Sequence, residues 1–235
     1  LIPNPTVSYV SPSATGTLSF TPATDGEGAA VIRVVVTDDG GVENGGVNAV
    51  TNVFIVTVSG VNDAPVLSNL ETTPLNYTEN SPSAVITGTV LLSDLDTATL
   101  TGATIRISSQ YVATEDVLSF DSSTTPGIVG TFNPANGTMT LSGGDSVAHY
   151  QTALRNVGYR NTSDHPSTAP RTVSLQISDG AGANPLSHVA TRPILVEAVN
   201  DAPTLSVPVG VTGWEDGLIP VRAAGGETVV VSDPD

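Results

Sequence analysis

Val61-Asn62-Asp63-Ala64-Pro65 returns as Val199-Asn200-Asp201-Ala202-Pro203, and each copy closes an alternating apolar run. Phe54-Ile55-Val56-Thr57-Val58 leads into the first copy and Ile194-Leu195-Val196-Glu197-Ala198 into the second. Val66-Leu67-Ser68 and Thr204-Leu205-Ser206 follow them. An identical pentapeptide recurring after roughly 138 residues marks duplication of domain-sized units. The chemistry of the stretch suits a hinge. Proline cannot donate to a strand ladder and holds the preceding alanine extended. Asn and Asp end strands and present oxygens that suit a hard cation. Both stretches therefore read as inter-domain linkers.

Composition narrows the classes. The apolar fraction of 39 % permits packed cores, but aromatics make up only 4 %. Such cores are built from Val, Ile, Leu and Ala, as in slim β-sandwiches. Acidic residues number 23 against 7 basic ones, a net charge of −16, and every basic residue is Arg. A chain this acidic repels nucleic acid and anionic membrane surfaces and attracts divalent cations. The absence of Cys excludes disulfides, thiolate zinc sites and Cys nucleophiles. No apolar run reaches the length of a membrane-spanning helix. Leu1-Ile2-Pro3-Asn4-Pro5 lacks the features of a signal peptide, and Val231-Ser232-Asp233-Pro234-Asp235 stops just after a strand-like run. Both ends are expected to be cuts through a longer chain.

Along the chain the period is that of strands. Thr17–Thr21, Val31–Val36 and Asn52–Val58 alternate, with turn clusters at Asp38-Asp39-Gly40-Gly41 and Glu43-Asn44-Gly45-Gly46. Three strands make a poor sandwich, so residues 1–61 read as the C-terminal part of a domain. Residues 66–199 read as one complete domain, with strands expected over Ala84–Leu92, Thr101–Ser108, Val117–Phe120, Met139–Leu141, Thr172–Ile177 and Arg192–Val196. Residues 204–235 read as the N-terminal part of a third. One segment changes period: Val147, Tyr150, Leu154 and Val157 are spaced for a short helix capped by Asp145 or Ser146. The expected fold class is all-β, a tandem of Greek-key sandwiches with one short helix inserted in the central member.

The carboxylates repeat with the linkers. Asp94-Leu95-Asp96 and Asp233-Pro234-Asp235 each follow a strand-like run, at nearly the same distance beyond their own linker Asn. Paired carboxylates at a strand end, joined by linker oxygens, suit the six to eight oxygen ligands that calcium takes. An isolated pair of this kind is a turn former; recurrence beside a linker is what raises it above that. EF-hand spacing fails, because Ala98 and Thr99 stand where a ligand and the loop glycine belong. Any calcium must therefore be held between domains.

With the Asn-Asp-Ala-Pro linkers, Glu79-Asn80, Ser93-Asp94-Leu95-Asp96 and Ile177-Ser178-Asp179-Gly180 in view, the chain resembles the cadherin-like repeats of large bacterial surface proteins. Tyr150-Gln151, Leu154, Val157 and Tyr159-Arg160-Asn161 bring it nearer the chondroitin-sulfate-proteoglycan-type variant. The resemblance implies calcium at each junction. The first would use Asn62, Asp63, Asp94, Asp96 and Asp179; the second Glu79, Asn200, Asp201, Asp233 and Asp235. Asp38 matches Asp179 and would serve a preceding junction. The mid-domain acidic motif has no clear match beyond Glu115-Asp116, and the complete unit is longer than an ordinary cadherin repeat.

The other motifs carry less. His149, His165 and His188 share no spacing with other ligands, and Gly143-Gly144-Asp145-Ser146 fails the nucleophile-elbow pattern. Trp214-Glu215-Asp216 reads as core rather than as a sugar platform. Asn76-Tyr77-Thr78, Asn136-Gly137-Thr138 and Asn161-Thr162-Ser163 fit the N-glycosylation pattern, which matters only in a eukaryotic secretory context. The expected function is a non-catalytic extracellular or cell-surface spacer of bacterial type. Its cofactor is calcium, its partners are neighbouring repeats of the same chain, and it neither binds nucleic acid nor inserts in a membrane. The alternatives are an adhesin module for a glycan or cell-surface protein, distinguished by an exposed aromatic cluster, and an accessory module of a polysaccharide-degrading enzyme.

Overall fold

The computed structural model describes residues 1–202, 204–206 and 230–232. The expectations placed on Asp233, Asp235 and Trp214-Glu215-Asp216, and most of residues 204–235, lie outside the described residues. The chain divides into two compact units, Leu1–Asn62 and Asp63–Asp235.

In the first unit, β1 (Thr6–Ser8) pairs with β2 (Thr17–Ser19), and β3 (Gly28–Thr37) with β4 (Ala49–Val58). The second pair runs without a break from Gly28 opposite Val58 to Thr37 opposite Ala49. Directly opposed residues share a face. One face therefore carries Ala30, Ile32, Val34 and Val36 against Val56, Phe54, Asn52 and Val50. On that face Val36, Val50 and Phe54 are exposed.

The second unit is nearly all strand. Its strands are β5 (Val66–Ser68), β6 (Leu75–Thr78), β7 (Ala84–Val85), β8 (Leu91–Ser93), β9 (Thr99–Ser109), β10 (Asp116–Phe120), β11 (Val129–Asn133) and β12 (Thr138–Ser146). After α1 (Val147–Arg155) come β13 (Val157–Asn161), β14 (Arg171–Ser178) and β15 (Ala190–Glu197), then β16 (Thr204–Ser206) paired with β17 (Val230–Ser232). A six-stranded sheet, ordered β11-β12-β9-β14-β15-β6, shares one core with the three-stranded sheet β10-β13-β7 and the ribbon β5-β8. Its ladders are antiparallel except β15 with β6.

Strict alternation builds that core. β14 buries Arg171, Val173, Leu175 and Ile177 and turns the residues between them outward. Ile105, Ile107 and Leu141 of the same sheet meet Leu118, Val157 and Tyr159 of the smaller one. Across the gap Tyr77 and Tyr159 pack edge to face, ring centroids 5.2 Å apart at 86°. The fold class is all-β, in sandwich form.

Three local features differ from the sequence expectation. The alternation predicts one strand over Ala84–Leu92, but it is split into β7 and β8. Thr87 and Gly88 turn inward to Glu71, whose carboxylate accepts the Thr87 hydroxyl at 2.7 Å and the Gly88 N–H at 2.8 Å. The helix begins where expected, with Ser146 Oγ accepting the His149 N–H, but it ends at Arg155 and Val157 opens β13 instead. In β12 the register slips between Ser142 and Asp145. Gly143 holds φ at +124° there, and a Cβ on it would stand 2.3 Å from the Gly127 carbonyl oxygen. Only glycine fits that bulge.

Glu71 supplies a pH-dependent lock. Burial pushes its carboxyl up, but the Thr87 and Gly88 hydrogen bonds and Arg192, at 3.7 Å, outweigh it and bring the pKa from 4.5 down to about 2. A depressed folded-state pKa contributes stability that is complete above the unfolded value and is lost as pH falls from about 4.5 to about 2. Glu71→Gln is expected to flatten the acid limb of a urea-melt series across that window. An unaltered slope would show that Glu71 does not couple folding to protons.

Candidate metal centre

The strand directions sort the candidate ligands into two groups. At one end of the six-stranded sheet β9 begins, with Thr99 opposite Ser146, and β14 ends, with Ser178 opposite Gly102. Asp94 and Asp96 precede β9 and Asp179 follows β14, so these three lie at that end. Asp63 joins them because Val66 pairs with Ser93, which carries the residues before β5 alongside those after β8. At the opposite end Glu197 pairs with Thr78 in the parallel ladder. Glu79 follows β6 there, and Asn200 and Asp201 follow β15.

At the first end the carboxylates are wired through the backbone. Asp94 Oδ1 accepts the N–H groups of Asp96 and Thr97, each at 3.0 Å, which folds the segment into an Asx turn. Asp96 Oδ2 accepts the Asp63 N–H. Asp94 Oδ2 is buried and has no hydrogen-bond partner among the described residues. Asp179 makes its own turn: Oδ1 accepts the Ala181 N–H at 2.8 Å, and its N–H donates to the Pro185 carbonyl at 3.1 Å. Asn62 closes the first unit.

At the other end Glu79 is only 4 % exposed. Its Oε1 accepts the Val199 N–H at 2.8 Å, tying the end of β6 to the second Val-Asn-Asp-Ala-Pro stretch. Its N–H donates to the Glu197 carbonyl. Oε2 is buried without a hydrogen-bond partner among the described residues. Asn200 Nδ2 donates to the Asp201 carbonyl at 2.7 Å. Among the described residues no group of three or more His, Asp or Glu gathers in metal-binding geometry. What fits a cation is the pair of orphaned carboxylate oxygens, one at each end. Such an oxygen costs several kcal/mol when left with neither partner nor water, and a divalent ion held there would offset that cost.

The sequence did not announce the most buried ionic cluster. Glu115 and Asp116, the candidate mid-domain acidic motif, are spent on Arg171. Its Nε lies 3.3 Å from the Asp116 carboxylate and its Nη2 3.1 Å from Glu115 Oε2. Nη1 donates to the carbonyls of Ser167 and Ala169. Asp116 also accepts the Tyr159 hydroxyl at 2.6 Å, the Asn161 amide at 3.1 Å and the Val112 N–H at 2.9 Å. Burial, with the Asp116 hydrogen bond, pushes the Tyr159 hydroxyl well above its ordinary range. A lone Arg at a strand start carries no sequence signal that would separate this role from a solvated charge.

His149 Nδ1 lies 2.6 Å from Asp145 Oδ1 at the helix start. The Ser146 N–H, with His149 beside it, holds the Asp145 carboxyl below its usual range. A shallow cleft over β9, β12 and β14 is lined by Thr104, Thr140, Gln176, Ser178 and Leu186 and has no titratable side chain in its wall.

No family model matches the chain. It is similar to halomucin of Haloquadratum walsbyi, 30 % identical over 175 residues. That stretch takes in 73 % of this chain but 2 % of halomucin, so the likeness is to one short segment of a very long protein. Among the described residues no helix is long and apolar enough to cross a membrane.

Proposed function

We propose that this chain is a non-catalytic segment of a large repeat-built surface protein, a run of cadherin-like sandwiches stiffened by calcium at their linkers. The observation that carries the reading is the pair of buried, orphaned carboxylate oxygens, Asp94 Oδ2 and Glu79 Oε2, beside the two copies of Asn-Asp-Ala-Pro. Asn62, Asp63, Asp94, Asp96 and Asp179 would hold the ion at one linker. Glu79, Asn200 and Asp201 would serve the other, with Asp233 and Asp235. Calcium there neutralises carboxylates that otherwise repel one another and restricts the linker, so a string of domains becomes a rod. The mucin in halomucin's name and its great length relative to this chain agree with an extracellular placement.

The domain division is part of the proposal: residues 1–61 close one repeat, 66–199 form a whole one and 204–235 open the next. Counting back from the matched Asp38 and Asp179, Ile32, Val34 and Val36 stand where Val173, Leu175 and Ile177 are fully buried. The apolar face of the β3–β4 pair is thus the core face of a sandwich. Asp94→Ala combined with Asp96→Ala is expected to weaken calcium binding at the Asp63 end by about tenfold or more, because each change deletes a ligand charge. Calorimetry showing unchanged affinity would refute the ligand set.

A further inference from the structure

Three Asn-x-Ser/Thr stretches occur in the second unit, and their surroundings differ sharply. An acceptor for N-linked sugar must present its side-chain amide on a surface loop to the transferase. Asn161 cannot do so: it is buried, and its Nδ2 donates to Asp116 Oδ1 at 3.1 Å inside the Arg171 cluster. Asn76 is exposed but lies within β6, its backbone in register with Leu195, and the Thr78 hydroxyl is turned to Glu197 at 3.4 Å. Asn136 is different. It is exposed in the tight turn that joins β11 to β12. The turn is held by other groups: Asn133 Oδ1 accepts the Ala135 N–H, and the Asn133 carbonyl accepts the N–H groups of Asn136 and Gly137. Gly137 sits at φ +66° with the Tyr111 ring where a Cβ would be, so the turn packs on Tyr111 at Gly137 while Asn136 beside it stays exposed.

From this contrast we infer that Asn136 is a glycan attachment site, and that it carries sugar while Asn161 does not. The covalent step joins Asn136 Nδ2 to the anomeric carbon of a lipid-linked oligosaccharide. The anomeric carbon–oxygen bond to the lipid phosphate breaks, the phosphate leaves with the electron pair, and the amide gives up one proton to base. No oxidant or reductant is involved. The inference rests on the extracellular placement proposed above, since the sugar donor and its transferase act on exported chains. Asn136 lies toward the same end of the sheet as Glu79, but four strand positions separate β12 from β6, roughly 19 Å at 4.8 Å per strand. A glycan there leaves the second linker clear.

The chain's lack of Lys makes the test clean. Trypsin places Asn136 on the peptide Ile107–Arg155, Asn161 on Asn161–Arg171 and Asn76 on Val34–Arg106. The full-length protein, taken from the cells that make it, is digested and its intact glycopeptides are read by mass spectrometry. Surface exposure is scored in parallel by shaving whole cells with protease. The expected result is hexose-containing mass on Ile107–Arg155, lost in Asn136→Gln, and none on Asn161–Arg171. A gain of a single mass unit at Asn136-Gly137 is deamidation and counts against the inference. A shaved, surface-exposed protein with bare Ile107–Arg155 overturns this inference alone. A protein that resists shaving and is bare throughout overturns the extracellular placement with it. Sugar on Asn161 would contradict the burial argument.

Discussion

Replacing Arg171 by alanine is expected to cost the second unit about 3–5 kcal/mol of unfolding free energy, the largest loss from any single charged residue described. The side chain is fully buried and holds two carboxylates, Asp116 and Glu115, while its third nitrogen satisfies two loop carbonyls. Alanine removes the cation and leaves Asp116, itself 1 % exposed, as a buried charge with only neutral donors: Tyr159, Asn161 and the Val112 N–H. That asymmetry sets the magnitude. Breaking a buried pair strands its partner, whereas replacing the whole cluster with apolar groups of equal volume is often neutral. Arg171→Lys should recover only part of the loss, since an ammonium cannot reach both carboxylates and the Ser167 and Ala169 carbonyls with one planar fork. Urea denaturation followed by circular dichroism measures it. A loss below about 1 kcal/mol would place the cluster among interactions that merely break even.

The second large effect concerns calcium, and its sign reverses with the metal. Ligand that binds only the folded form stabilises by about 2.7 kcal/mol at a concentration one hundred times Kd. Calcium should therefore raise the melting temperature of the second unit. Glu79→Gln keeps the shape of the side chain and an acceptor for the Val199 N–H, but removes the charge on the buried Oε2. In chelator this variant should be as stable as the parent or more so, because a buried orphan charge is gone. In calcium it should lose most of the gain at the Asn200-Asp201 linker. A variant weaker than the parent in chelator and equally stabilised by calcium would show that Glu79 is a structural carboxylate with no part in metal binding.

How far the fold could be read in advance depends on how each segment hides its apolar residues. β9, β14 and β15 alternate one face in and one face out, and their period of two is visible in the sequence. β13 was invisible for the opposite reason: Val157, Gly158, Tyr159 and Asn161 are all buried, so Val-Gly-Tyr-Arg-Asn has no alternation to detect. β6 and β11 are the two edges of the large sheet and carry polar, Gly- and Asn-containing sequences. The split of Ala84–Leu92 came from tertiary structure, because Glu71, sixteen residues before Thr87, is what draws the turn inward. The helix start was legible from Asp145-Ser146 as capping residues and from apolar spacing; its end was not, since Val157 has the right spacing for a helix but pairs with Phe120 in a strand.

The candidate site divides in the same way. Recurrence of the linker and of Asp-x-Asp is a sequence property, and it names Asp63, Asp94 and Asp96, which hydrogen bonds then join at one end of the sheet. Burial of Glu79 could not be seen in Glu79-Asn80, because it depends on the parallel pairing of β6 with β15 across more than a hundred residues. Nor could the use of Glu115 and Asp116 be seen, since their partner Arg171 is remote in sequence and looks like any other strand-initial charge.

Calcium titration by calorimetry, paired with small-angle scattering in calcium and in chelator, bears most directly on the proposed spacer. Saturable binding at the linkers and an elongated profile that stiffens only when calcium is present are expected. Absence of binding, with identical scattering in the two conditions, would contradict the proposed spacer and return Asp63, Asp94, Asp96, Asp179 and Glu79 to the roles of turn formers and strand ties.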